Sequence, residues 1–364
     1  MNKKNIDIDE YIFALCRYSL NHSTTFPYTI QELPWLDIFN VSKIHGIGGF
    51  VSSAFLNLTK DFGCSGSGDI LFEELKYKAL SNVLVIERKN KVQDSTLRDL
   101  FGKWQQDGIH TLLFKGQANK NWFLEPLYRS PGDVDCFTYN NYDKANLKAS
   151  QYGAKVDCSW FKHSQIVYRG ELFENHHYFV HTRSGEWGKN LEQELLTILL
   201  TDKPYYYDDT SVQVPSPLFN AIFLTYHALE HFVTEGLRLK QVMDWAAFLQ
   251  SNSEKVDWLR FNEICRRYRM DIFASAMNDI AIHDLGVNVN NKDIVCTCKL
   301  SDRIKRSILN DKDYVFSSGK SAWHNRCHLI FNLFKYRWKY EKVFQISIWR
   351  QLWIYAYGYI RKKE

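Results

Sequence analysis

Apolar positions recur at helical spacing through the first sixty residues, in IDEYIFALCRYSL from residue 8 and in SKIHGIGGFVSSAFLNL after a proline-bearing loop. The glycine- and serine-rich DFGCSGSGD, residues 61–69, predicts a loop without the Gly-Lys-Ser/Thr ending of a phosphate cradle. From Asp69 to Asp107 the pattern is one long helix or two abutting ones, stopped by Gly108. Then the period changes. HTLLFKG, 110–116, is a short continuous apolar run of the kind a central strand carries. GDVDCFTY alternates, with Asp133, Asp135 and Phe137 on one face and Val134, Cys136 and Thr138 on the other. SQIVYRGELFENHHYFVHT reads as two strands turning at Arg169-Gly170, and YDKANLKASQYG is a helix between strands. After Pro217 strand signals mostly vanish and helical patterns take over, first in PLFNAIFLTYHALEHFVTEG and then in RLKQVMDWAAFLQS. The expected organisation is a helical region over 1–74, a small α/β core over 75–215 and a helical domain over 216–364.

Composition narrows the class. In 364 residues, 45% hydrophobic and 24% charged side chains describe a globular chain with material for a large core. A net charge of +5 fits anionic small molecules but is too mild to imply nucleic-acid binding. The N-terminus has no long apolar run behind its lysines, and no stretch of about 18 uncharged apolar residues occurs, so neither a signal peptide nor a spanning helix is expected. Eight cysteines (16, 64, 136, 158, 265, 296, 298 and 327) form no CxxC pair and read as small buried hydrophobes in a reducing cytoplasm.

The chemistry sits on the alternating strand. Residues i and i+2 share a face, so Asp133 and Asp135 aim at one place, where their charges oppose joint ionisation. A hard cation with oxygen ligands removes that penalty, and two-metal phosphoryl chemistry needs carboxylates so gathered. Alternation in ELFENHHYF puts Glu174 beside His176 on one face and makes it the third candidate. The competing reading is a solvated edge strand after a Ser-Pro-Gly-Asp turn.

With Lys115-Gly116, LYRSPGDVD (127–135), His163 in FKHSQIVY, Glu174-Asn175-His176 and YHALEHF…GLRLKQVMDWA (226–247), the chain resembles an uncharacterised bacterial nucleotidyltransferase family of the polymerase-beta-type superfamily, over about residues 30–260. The resemblance implies an α+β fold with a polymerase-beta-like core, a small mixed sheet with flanking helices. It implies a nucleoside triphosphate as substrate, Mg2+ or Mn2+ as cofactor, and an unknown hydroxyl, phosphate or protein acceptor. Asp133, Asp135 and Glu174 would be the catalytic and metal-binding residues, with Glu174 also helping to deprotonate the acceptor. Lys115, Gly116, Arg129, His163 and His176 would bind the nucleotide, Lys115 and Arg129 by neutralising phosphate oxygens.

Three other readings compete. Gln117 stands where the superfamily usually has Ser, which allows a catalytically inactive nucleotide- or partner-binding protein of the same fold. His227-Ala-Leu-Glu-His231 matches the inverted zinc-peptidase motif on a helix, without an evident third ligand. The basic and aromatic tail from residue 331 could lie on a membrane surface or on bases, but more simply packs as a final helix. Arg238 and Asp244 form a candidate structural ion pair.

Overall fold

The computed structural model describes residues 8–21, 25–61, 70–310 and 331–361. The loop at 61–69 thus lies almost wholly outside the described residues, as do Cys64 and Cys327. Three helices come first: α1 (Ile8–Leu20), α2 (Trp35–Ile44) and α3 (Gly48–Asp61). The run from Ser42 divides between α2 and α3, because Gly46 takes φ +69° between them. Helix α4 (Ile70–Gln106) is continuous for 37 residues. It buries Leu75, Ala79, Val83, Ile86, Asn90, Gln93, Leu97, Leu100 and Trp104, three or four residues apart, in one stripe. Gly108 ends the chain reversal after it at φ +71°.

Seven strands follow: β1 (Leu112–Leu113), β2 (Val134–Phe137), β3 (Lys155–Asp157), β4 (His163–Tyr168), β5 (Glu171–His176), β6 (Tyr205–Tyr206) and β7 (Gln213–Val214). They form one mixed sheet in the order β3-β4-β5-β2-β1-β7-β6. The apolar run at 110–116 supplies only two strand residues, since Gly116–Trp122 coils into a 3-10 helix. β2 runs antiparallel to β1 and parallel to β5. β4 and β5 form the expected hairpin, with Arg169 and Gly170 both at positive φ (49° and 88°), as a tight two-residue turn requires. The exposed or short β3, β6 and β7 carry little apolar signal.

The two faces of β2 meet different cores. Val134 and Cys136 pack with Leu97, Phe101 and Trp104 of α4 and with Ala145 and Ala149 of α5 (Tyr142–Gln151). On the other face Phe137 joins Phe114 and Phe179 against Phe219 and Phe223 of α7 (Pro217–Thr234). Helix α7 starts with Ser216 accepting from Phe219 N and Pro217 in its first turn. Behind it come α6 (Glu186–Thr201), α8 (Leu239–Asn252), α9 (Trp258–Arg267), α10 (Asp271–Asp279), α11 (Ser301–Asn310) and α12 (Ile348–Arg361). The tail packs as expected: Leu333, Tyr340, Val343 and Ile348 enter the main core, and the buried Lys339 donates to the Phe232 carbonyl at 3.1 Å. No helix among the described residues is long and apolar enough to cross a membrane. Cys16, Cys136 and Cys265 are buried, but Cys158 is exposed, because it follows edge strand β3; all the described cysteines are free.

Candidate active site

The polar stripe of α4 sets the site's loops. Asn90 Nδ2 donates to the carbonyls of Leu127 (2.7 Å) and Arg129 (2.9 Å), and Gln93 Nε2 donates to that of Gly132 (2.6 Å). Gln117 Nε2 donates to Asn90 Oδ1 (3.0 Å) and Gln93 Oε1 (2.6 Å), so the turn after β1 and the loop before β2 hang from one side-chain network. Gln117 therefore has a structural task. The turn itself is strained: Lys115 sits at φ +62° and Gly116 at +50°, where an added Cβ would lie 3.3 Å from the Asp133 carbonyl.

Across the parallel β2–β5 pair, Asp135 stands opposite Glu174, and across β4–β5, His163 stands opposite His176. Carboxylate oxygens of Asp133, Asp135 and Glu174 lie within 4.8 Å of one another. The reading of a solvated edge strand fails, because β2 is interior to the sheet and Asp135 is 0% exposed. Asp133 falls one residue before the strand.

Asp135 Oδ1 accepts from Lys115 Nζ (2.9 Å) and lies 3.0 Å from His176 Nε2. Its Oδ2 is buried without a partner. Burial opposes the charge of Asp135, but Lys115 and then His176 outweigh it and hold the carboxyl well below its usual range. Burial likewise disfavours charge on Lys115, yet Asp135 and Asp133 hold the ammonium above its ordinary value. Asp133 moves up, through the negative charge of Asp135 and then burial. Glu174 lies 3.4 Å from His163 Nε2 and 3.6 Å from His176 Nε2. Its burial is outweighed by His176, so it titrates low.

Three oxygen donors, one resisting ionisation and one with an orphaned buried oxygen, fit a hard divalent cation. His163, Glu174 and His176 also converge. However, the His176 nitrogens are already engaged, Nε2 by Asp135 and Nδ1 by the Tyr178 carbonyl at 3.1 Å. The three-carboxylate set is the better cation site.

A cavity of about 590 Å³ opens beside Asp133 and Lys115, lined also by Arg129, His227, His231 and Lys240. Arg129 gives Nε and Nη2 to the two carboxylate oxygens of Asp244, both at 2.7 Å, in a buried pair. Asp244 is thus paired with Arg129 and not with Arg238, which stands at the N-cap of α8. Arg129 also lines the cavity, so any role on phosphate is shared with a structural one.

Lys240 was not among the expected site residues. Its Nζ lies 3.4 Å from where a Cβ on Gly132 would stand, next to Asp133. Burial, then the Arg129 charge, push its ammonium down to about 7. The available signal was its spacing four residues before Asp244, which puts both on one face of α8.

The histidines of α7 do not assemble a peptidase site. His227 and His231 face the cavity, 3.1 Å apart through their Nε2 atoms, and His231 Nδ1 meets Glu235. Glu230 turns to another cavity, where the Tyr226 hydroxyl donates to it at 2.9 Å and Lys162 lies at 3.6 Å. Among the described residues, no metal-holding group includes His227 or His231.

Residues 32–281 match the profile of a family described as uncharacterised nucleotidyltransferases. Among curated proteins and solved structures, none matches.

Proposed function

Because the chain belongs to the uncharacterised nucleotidyltransferase family, we propose that it moves a nucleoside monophosphate group from a nucleoside triphosphate to an acceptor, with Mg2+ or Mn2+ held by Asp133, Asp135 and Glu174. The observation that carries this reading is the convergence of those three carboxylates within 4.8 Å, beside Lys115, at the edge of a cavity large enough for a nucleotide. The antiparallel β1–β2 pair with β5 parallel to β2 supports a polymerase-beta-like core.

In the proposed reaction an acceptor oxygen attacks the α-phosphorus and a new P–O bond forms. The bond between the α-phosphorus and the bridging oxygen breaks, and pyrophosphate leaves. Glu174, an ionised carboxylate among the three, takes the acceptor's proton. Lys115, Lys240 and Arg129 place positive charge along the cavity, where triphosphate oxygens gain negative charge in the transition state. A bound divalent cation supplies electrostatic stabilisation of that charge and lets the three carboxylates ionise together.

Incubation with each α-labelled nucleoside triphosphate and either metal, with cell extract as acceptor source, tests the reading. Wild-type protein should produce labelled product and release pyrophosphate, and Asp135→Asn should produce none. Equal labelling by both proteins, or no metal-dependent nucleotide binding by either, would refute it. Nucleotide binding with no transfer would instead support the inactive binding protein. Gln117 no longer favours that alternative, since its hydrogen bonds explain its presence.

A further inference from the structure

Two cavities of similar size, about 590 Å³ each, approach the carboxylate cluster, one through Asp133 and the other through His163. Helix α7 contributes to both: His227 and His231 face the first, whereas Tyr226, Leu229 and Glu230 face the second. The cluster is bipolar in the same sense. Asp133 and Lys115 line the first cavity, and His163, 3.4 Å from Glu174, lines the second. His163 Nδ1 is buried and has no partner. A molecule in the second cavity therefore meets His163, the residue that stands between that cavity and Glu174.

The second cavity has its own chemistry. Its walls are largely aromatic: Trp160 lies parallel to the His163 ring (6.2 Å, 17°), Phe161 stacks on Tyr178 at 5.1 Å, and Trp187, Tyr226, Tyr340 and Phe344 add further rings. Glu230 is the one carboxylate among the described lining residues, and Lys162 answers it. Two cations remain, Arg350 and Arg183, the latter held over the Phe161 ring at 3.9 Å. Flat apolar walls with surplus guanidinium charge select a flat apolar body bearing an anionic group. The first cavity differs in having fewer rings and more charge of both signs: Lys115, Arg129, Arg238 and Lys240 stand beside Asp133, Glu235 and Asp244, with Asp133 in the proposed cation site and Asp244 paired to Arg129.

Building on the nucleotidyltransferase reading, we propose that the second cavity is the acceptor site, and that the acceptor is a small molecule with an aromatic body, an anionic group and a hydroxyl presented to Glu174 past His163.

Three probes share one hydroxyphenyl body and differ in charge: 4-hydroxyphenylacetate, 2-(4-hydroxyphenyl)ethanol and tyramine. Saturation-transfer NMR on the full chain, with and without saturating Mg-ATP, compares their binding. The anion should bind about tenfold more tightly than tyramine, the size of one charge-assisted hydrogen bond. It should persist with Mg-ATP present and weaken by a similar factor in Arg183→Gln and in Trp160→Ala, whose ring is 54% exposed and dispensable for the core. Equal binding of the three, displacement of the anion by Mg-ATP, indifference to both substitutions, or binding of none at millimolar concentration would each overturn the proposal. Labelling by nucleotide in the same preparations is read separately. Probe binding without any nucleotide chemistry removes the transfer reaction and leaves the pocket, and nucleotide chemistry without probe binding does the reverse.

Discussion

Lys240 offers a direct measurement of whether phosphate enters the first cavity. Its ammonium faces Arg129 and Lys115, which lower its pKa, and Asp244 and Asp133, which raise it; burial dominates and leaves the value at about 7. At pH 8 such a group is about nine-tenths neutral, or about half neutral if the value were one unit higher. A triphosphate laid beside it restores its ordinary basicity, so nucleotide binding at pH 8 should take up roughly 0.5 to 0.9 proton. Nucleotide phosphates are already ionised at that pH and contribute little. Titration calorimetry in buffers of different ionisation enthalpy reads this uptake as the slope of observed heat against buffer heat. In Lys240→Met the slope should fall close to zero and the affinity should drop. The same group affects stability. Its folded pKa lies below the unfolded value, so the unfolded chain binds more protons between about pH 7 and 10, and stability rises across that window. Each pH unit is worth at most about 1.4 kcal/mol, and partial exposure reduces the total to about 2–3 kcal/mol. Lys240→Met should abolish that rise and be more stable than wild type at pH 7. Nucleotide binding with no proton uptake, or with equal uptake in Lys240→Met, would refute the placement of phosphate beside Lys240.

Other substitutions test neighbouring parts of the site. In EDTA, Asp133→Asn should stabilise the protein by about 1 kcal/mol in denaturant unfolding, because it removes a charge repelled by Asp135, and it should lose the stabilisation that Mg2+ or Mn2+ gives wild type. Arg129→Met or Asp244→Leu alone should cost about 3–5 kcal/mol by stranding a buried charge, and the double substitution should recover most of it. Gly49→Ala, ordinarily favourable within a helix, should instead destabilise by about 1–3 kcal/mol, since the new Cβ would meet the Tyr128 carbonyl at 2.1 Å. Thermal or denaturant unfolding decides each sign.

The three acidic side chains were legible in the sequence because alternation alone assigns faces. Asp135 and Glu174 converge through the β2–β5 pairing, Asp133 joins them from one residue before the strand, and their order with Lys115 carried the family resemblance. The long α4 and the Arg169-Gly170 hairpin were legible for the same kind of local reason. What escaped was set by distant partners. Asn90 and Gln93 looked like ordinary polar positions of a helix, yet they suspend both loops of the site. Arg129 fitted a phosphate grip by type and position, but the residue that takes its fork is 115 positions away. Lys240 became notable only once Gly132 stood against it. The strands β6 and β7 have two residues each and join the sheet through pairing rather than through any apolar run.

Costly features meet in the site. A wholly buried carboxylate, a non-glycine residue at φ +62° and a second carboxylate that resists ionisation occupy neighbouring positions. In the free protein Lys115 answers Asp135, so the cation that would grip a phosphate is engaged in holding the proposed metal ligand charged. With a divalent cation on Asp135 that service would be unnecessary, and the Lys115 ammonium would be free to turn to the cavity. Metal and nucleotide should then bind with positive coupling, each tightening the other by the same factor, because a coupling free energy is shared by both ligands. The coupling should shrink in Lys115→Met even where each ligand still binds alone. Equal coupling in wild type and Lys115→Met would mean that Lys115 serves the carboxylates only, and that the positive charge for phosphate comes from Lys240 and the cation.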